Sequence, residues 1–173
     1  MNAIHNPAEY NGVKVYGEYG GQVASEDANT ITKHVESIED LCSVKVMDKS
    51  LLLDEGLLTY LGDDMSERYT EQLRHILVEG DYDKSLSIVY SPLHGAGGEL
   101  VCKGLKAAGF ENVTVVAEQA IPDPDFSTVT YPNPEESKAF DLAIPYGHQV
   151  NADNLIATDP DAYRMGIAVL HKT

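Results

Sequence analysis

The chain has 173 residues, which suits one full α/β domain or one domain plus a piece of another, and with 43% of them hydrophobic it is too apolar for wholesale disorder. With 28 acids against 12 bases the net charge is −16, which sets the chain against nucleic acid and anionic membranes as partners. The opening "MNAIHNP" has neither the basic nor the apolar region of a signal peptide, and no apolar run approaches the roughly 18 residues of a spanning helix, so a cytoplasmic location is expected.

In chain order, Val13, Val15 and Val23 read as strand, broken by Gly17, Gly20 and Gly21. Ser25 is placed as an N-cap, with Glu26 and Asp27 in the first turn, where the helix dipole favours acids. Ala28, Ile31, Val35, Ile38 and Leu41 recur every three or four residues and predict one apolar face of a helix over about 26–40. Val44 and Val46 alternate like a short strand, and "LLLDEGLLTYLGDD" reads as extended or turn. Met65, Tyr69, Leu73 and Leu77 predict a second helix over about 65–78.

The pattern then becomes regular: strand 86–91, the loop "PLHGAGG", helix 99–109, strand 113–118, and a long loop holding Pro122, Pro124, Pro132 and Pro134. A helical stretch over about 136–148 follows, with Phe140, Ala143 and Ile144 facing inward, then strands 154–158 and 165–170. Pro145 falls inside that helix, where an interior proline loses a hydrogen bond and clashes, so the helix should end near Ala143 or kink. Strands alternating with helices predict a doubly wound three-layer α/β/α domain over about 65–173, with residues 1 to about 60 a different, smaller unit. The cysteines, Cys42 and Cys102, form no CxxC or Cys/His cluster, so zinc is not expected and both read as buried free thiols.

In open α/β sheets the chemistry sits at the carboxyl ends of the strands, which selects the loops 91–98 and 159–164. In the second, Asp159 and Asp161 follow an apolar strand directly. In an extended loop residues i and i+2 face the same way, so both carboxylates can meet one hard cation such as Mg²⁺. Alternation would put a third acid at 163, where the chain has Tyr163. The plain alternative is a solvated acidic turn; a D-x-D after a strand would also permit a phosphatase with Asp159 as nucleophile and Asp161 as acid. "HGAGG", between strand and helix, invites a phosphate reading. It lacks a complete G-x-G-x-x-G and a following lysine, so a tight turn that needs glycine is favoured.

"ATDPDAYRMGIAV" resembles the metal loop of the α-D-phosphohexomutases, the phosphoglucomutase and phosphomannomutase family, usually D-x-D-x-D-R before a short strand. "NAIHNPAEYNGVKVYGEYGGQ" resembles the family's T-A-S-H-N-P loop and the Y-N-G-x-K-x-Y after it. "YSPLHGAGG" resembles its T-P-L-H-G-x-G turn, and "PDPDFSTVTYPNPEE" a proline-rich segment of the same enzymes. The resemblance implies a mixed doubly wound sheet like the family's domain II over 61–173, preceded by the C-terminal part of domain I over 1–60.

The same resemblance implies an isomerase that acts on hexose phosphates by intramolecular phosphoryl transfer through a phosphoserine, with Mg²⁺ held by three Asp. Asp159 and Asp161 match two of the ligands, and Tyr163 stands at the third. Arg164 matches the arginine that follows, and Lys14 a general acid/base. His5 and Asn6 remain of the S-H-N-P loop, but the phosphoserine position is Ile4, which has no oxygen to carry a phosphoryl group. Tyr163, a neutral phenol, is a poor Mg²⁺ ligand. Tyr19 stands where the family commonly has an acid. Domains III and IV, which read the sugar and bind the other phosphate, lie beyond these 173 residues. The expectation is a phosphohexomutase fragment, inactive alone, with weak or absent Mg²⁺. The rival is a non-catalytic module that binds Mg²⁺, a sugar phosphate or a partner chain. Residues 1–60, cut from a larger sheet, are expected to be less ordered, to pack on the rest or to self-associate.

Overall fold

A computed structural model describes residues 8–9, 14–78 and 80–169. The expectations for Ile4, His5, Asn6, Val13 and Leu170 lie outside the described residues. Contacts divide the chain into two units: Val13–Asp63, and Asp64–Thr173, to which Ala8 and Glu9 also belong.

The first unit has an isolated antiparallel bridge between Tyr16 and Gln22 where strand was expected. Between them the chain turns at Gly20, whose φ of +79° a side chain would resist. Helix α1 covers Ser25–Glu36. Ser25 is its first residue, not its cap; Ala24 holds the cap position and no side chain caps the end. The helix stops four residues before the predicted end, because the Ser37 hydroxyl donates to the His34 carbonyl (2.7 Å) and closes the last turn. Its periodic face is not a core face: no residue of α1 is buried.

Val44 and Val46 form no strand, and Val46 is 93% exposed. The ambiguous leucine run opens inside a helix, α2, Lys49–Asp54, and only its remainder, 55–62, is turn and irregular chain as expected. Asp48 starts the helix by accepting from the Ser50 amide (2.8 Å) and hydroxyl. Gly56, at φ +68°, ends it, with the Leu57 amide reaching back to the Leu52 carbonyl at 2.9 Å. Cys42 is exposed rather than buried; Cys102 is partly buried, which pushes its thiol up.

Helix α3 spans Asp63–Arg74, nearly all of it in the second unit, and is shorter than the predicted 65–78. Then come β1 (Ile88–Ser91), α4 (Gly98–Ala107), β2 (Val113–Val115), α5 (Ala143–Val150), β3 (Asn154–Thr158) and β4 (Met165–Val169). The sheet order is β2-β1-β3-β4, with β1 parallel to β2 and β3, and β4 antiparallel to β3. The parallel β2-β1-β3 core is the α/β arrangement the alternating pattern predicts, and the antiparallel β4 makes the mixed sheet that the resemblance implies. β1 is buried at every residue, as a central parallel strand covered on both faces requires. The core gathers Val89, Leu93, Val116, Phe140, Ala143 and Leu155.

The stretch 136–148 is not one helix. A 3₁₀ turn, Ser137–Phe140, precedes α5, and Pro145 is the third residue of α5. The break falls at Asp141–Leu142, just before Ala143 as expected, and it leaves Pro145 in the first turn of α5, where its missing N–H is not needed. Phe140 and Ala143 are buried, but Ile144 is 42% exposed and not inward. Asn151, left-handed at φ 51°, ends α5.

Tyr90 lies beneath the C-terminal end of the sheet, its hydroxyl 2.8 Å from the Thr158 hydroxyl. Burial pushes its phenol up to about 12 from the ordinary 10, with the Thr158 hydrogen bond opposing the shift. The folded value lies above the unfolded one. Neutral Tyr90 therefore contributes fully below about pH 10, and its contribution is lost as pH rises through about 12. An ultraviolet titration of tyrosine ionisation should show one phenol lagging the exposed ones, and Tyr90→Phe should remove that late step.

Candidate functional site

The parallel strands β1 and β3 end side by side, which brings the loop 92–97 and the acidic loop 159–164 to the same edge of the sheet. The acidic loop is not extended. The Ala162 amide donates to the Asp159 carbonyl (2.8 Å) and the Asp159 amide to the Arg164 carbonyl (3.3 Å), closing a tight turn. Ala162 takes φ 55° to make it, a left-handed conformation that costs an alanine about 1 kcal/mol.

Asp159 sits at the centre, 1% exposed. Its Oδ1 accepts from the amides of Tyr163 (2.9 Å) and Arg164 (2.8 Å). The carboxylate folds back onto its own loop, so the i, i+2 argument, which presumed an extended chain, does not describe it. Asp161 is half-buried, while Tyr163 is 86% exposed, its phenol in solvent. The Arg164 guanidinium pairs with Glu135 of the proline-rich segment at 3.2 Å. Asp159, Asp161 and Arg164 thus share one loop. Lys14 is exposed and belongs to the other unit, and His5 lies outside the described residues.

The glycine turn holds this loop from below. A Cβ on Gly95 would overlap the Pro160 backbone, and the neighbouring Ala96 amide donates to the Pro160 carbonyl at 2.8 Å. A Cβ on Gly97 would come within 2.9 Å of the Ala162 Cβ and 3.0 Å of the Tyr90 hydroxyl. Gly95 and Gly97 of "HGAGG" therefore make room for the acidic loop, in agreement with the tight-turn reading.

Sequence reasoning missed the residues beside that turn. The Ser91 hydroxyl donates to Gln119 Oε1 (2.7 Å), and Gln119 Nε2 donates to the Thr128 hydroxyl (3.0 Å). His94 is 2.7 Å from that hydroxyl through Nε2 and 3.2 Å from the Ile121 carbonyl through Nδ1. Nearby, the Ser127 hydroxyl and amide and the Asp125 amide hold the Asp123 carboxyl down to about 2.

The donor set does not fit a cation site of three carboxylates. The third position carries an exposed phenol, and one oxygen of Asp159 is engaged by two amides. Among the described residues no group of three or more His, Cys, Asp or Glu side chains is placed to hold a metal ion.

Comparison with known proteins places these loops in a family context. The profile described as "Phosphoglucomutase/phosphomannomutase, alpha/beta/alpha domain II" matches residues 67–172, and the corresponding domain I profile matches residues 1–41. A phosphomannomutase of Mycoplasmoides pirum is 36% identical, over 99% of this chain and 31% of its own length. A phosphoglucomutase of Staphylococcus haemolyticus is 35% identical, over 96% of this chain and 30% of its own. The chain thus spans about a third of the length of these curated relatives. A solved phosphoglucomutase/phosphomannomutase family protein from Burkholderia thailandensis aligns with a TM-score of 0.49 at 21% identity, covering 61% of this chain and 21% of that one. The domain II profile takes in both strand-end loops, the acidic one and the glycine one, and more than half of the residues; on that ground the chain belongs to the phosphoglucomutase/phosphomannomutase family.

Proposed function

We propose that this chain carries the acidic-loop scaffold of a phosphohexomutase, an enzyme class acting on hexose phosphates, but does not itself perform the phosphoryl transfer. The observation that carries the reading is the state of the acidic loop: Tyr163 stands in solvent at the third ligand position, and Asp159 is turned onto the backbone. Ile4 supports it from the sequence, since a hydrocarbon at the phosphoserine position cannot accept a phosphoryl group. With two of these positions altered together, Mg²⁺ is held weakly or not at all, and hexose phosphate is not turned over.

The test is a coupled assay for conversion of glucose 1-phosphate to glucose 6-phosphate with Mg²⁺ and a trace of glucose 1,6-bisphosphate, alongside calorimetric titration with Mg²⁺. The expected result is no conversion above buffer and no saturable Mg²⁺ heat at millimolar concentration. Turnover that copurifies with the chain would overturn the reading. Saturable Mg²⁺-dependent binding of the sugar phosphate without turnover would favour the binding module instead.

A further inference from the structure

We infer that His94 is a positioning residue which ties the proline-rich segment to the acidic loop through the glycine turn, so that the order of the loop at 159–164 depends on a hydroxyl at Thr128. The inference stands apart from the proposed function, because it concerns how the loop is held and not what the loop binds.

The Ile121 carbonyl can only accept, so His94 Nδ1 carries the proton facing it. In the neutral ring Nε2 must then accept, and the Thr128 hydroxyl donates to it. That hydroxyl's oxygen accepts from Gln119 Nε2, Gln119 Oε1 accepts from the Ser91 hydroxyl, and the Ser91 oxygen accepts from the Leu93 amide at 3.1 Å. Every bond in the chain runs the same way, from Leu93 through to Ile121. The main chain of His94 is engaged as well: its amide donates to the Gln119 carbonyl (3.0 Å), and its carbonyl accepts from the Asp123 amide (3.3 Å).

The backbone needs such a clamp. Leu93 and His94 both take left-handed conformations, φ 47° and 63°, which non-glycine residues adopt only when their surroundings impose them. Those two residues aim Gly95 and Ala96 at the Pro160 backbone. The acidic loop therefore rests on a strained turn, and a side-chain network 5% or less exposed at Ser91, His94 and Gln119 holds the strain.

The experiment uses the full chain and hydrogen exchange at the amides of Ala96, Ala162, Tyr163 and Arg164, with the β1 amides as the measure of global opening. Thr128→Val should speed exchange at those four amides roughly tenfold while β1 is unchanged, and Thr128→Ser, which keeps the hydroxyl, should restore them. The nitrogen spectrum of the His94 ring should place its proton on Nδ1, and the Nε2 resonance should move in Thr128→Val. His94→Asn, which tolerates a left-handed backbone but cannot span the two partners, should match Thr128→Val. If it does not fold, the Thr128 pair decides alone. Unchanged exchange at the acidic loop in Thr128→Val, or equal acceleration in β1 and the loop, would overturn the inference.

Discussion

Asp159→Ala is expected to lower stability by about 2–3 kcal/mol, and by the same amount in Mg²⁺ as in EDTA. The substitution leaves the amides of Tyr163 and Arg164 without the Oδ1 that accepts both of them, at a position 1% exposed. Leaving part-buried donors unmade costs more than an average hydrogen bond contributes, and the loss of a charged acceptor adds to it. Asp159→Asn keeps an oxygen there and should lose about half as much. Tyr163→Ala alters only a side chain in solvent and should stay within about 0.5 kcal/mol of the native chain. Urea midpoints of the three variants decide the matter. If Asp159→Ala costs nothing in EDTA and only abolishes a stabilisation by Mg²⁺, the carboxylate is a metal ligand and not the pin of the turn.

This expectation differs from the one the sequence offers, and the reason is physical. D-x-D after a strand looks like paired ligands only if the chain runs extended. Nothing in the spacing reveals that Ala162 turns left-handed and lets the amides at 163 and 164 reach back to Asp159. The strands themselves are well marked. β3 has the predicted bounds, because a short apolar run between turn signals has few other uses beneath a packed sheet. α2 was hidden because a leucine run has no polar face to set a period; its only mark is the Asp48 cap two residues before Ser50. The apolar stripe of α1 was legible as a stripe, but periodicity cannot say whether anything covers it, and in its unit no residue of the helix is buried. The His94 network joins residues 28 and 34 positions apart, which no local pattern can report. The glycine turn was readable in kind, since "HGAGG" asks for a tight approach, though the partner, Pro160, lies in another loop.

That partner makes Gly95→Ala the second large expected effect. A methyl group at 95 would overlap the Cα of Pro160 and stand 2.6 Å from its carbonyl oxygen, and neither is the far end of a flexible side chain that could swing aside. One of the two loops must move. Moving the acidic loop breaks the Ala96–Pro160 hydrogen bond of 2.8 Å, and moving the turn disturbs the network around His94. Overpacking of this kind costs about 1–3 kcal/mol, and the upper half of that range is expected here because backbone opposes backbone. Gly98→Ala supplies the contrast. Its Cβ would meet the Ala120 carbonyl oxygen at 3.4 Å and Pro92 at 3.7 Å, ordinary contacts, at the first residue of α4, where alanine is the better helix former. It should be neutral or slightly stabilising. Thermal unfolding of the two variants separates a requirement for space at Gly95 from a general preference for glycine in the turn. Equal, small changes in both would mean that the acidic loop is not seated on the turn. A loss confined to Gly95→Ala, with faster exchange at Ala96 and Ala162, would mean that the two strand-end loops hold each other in place.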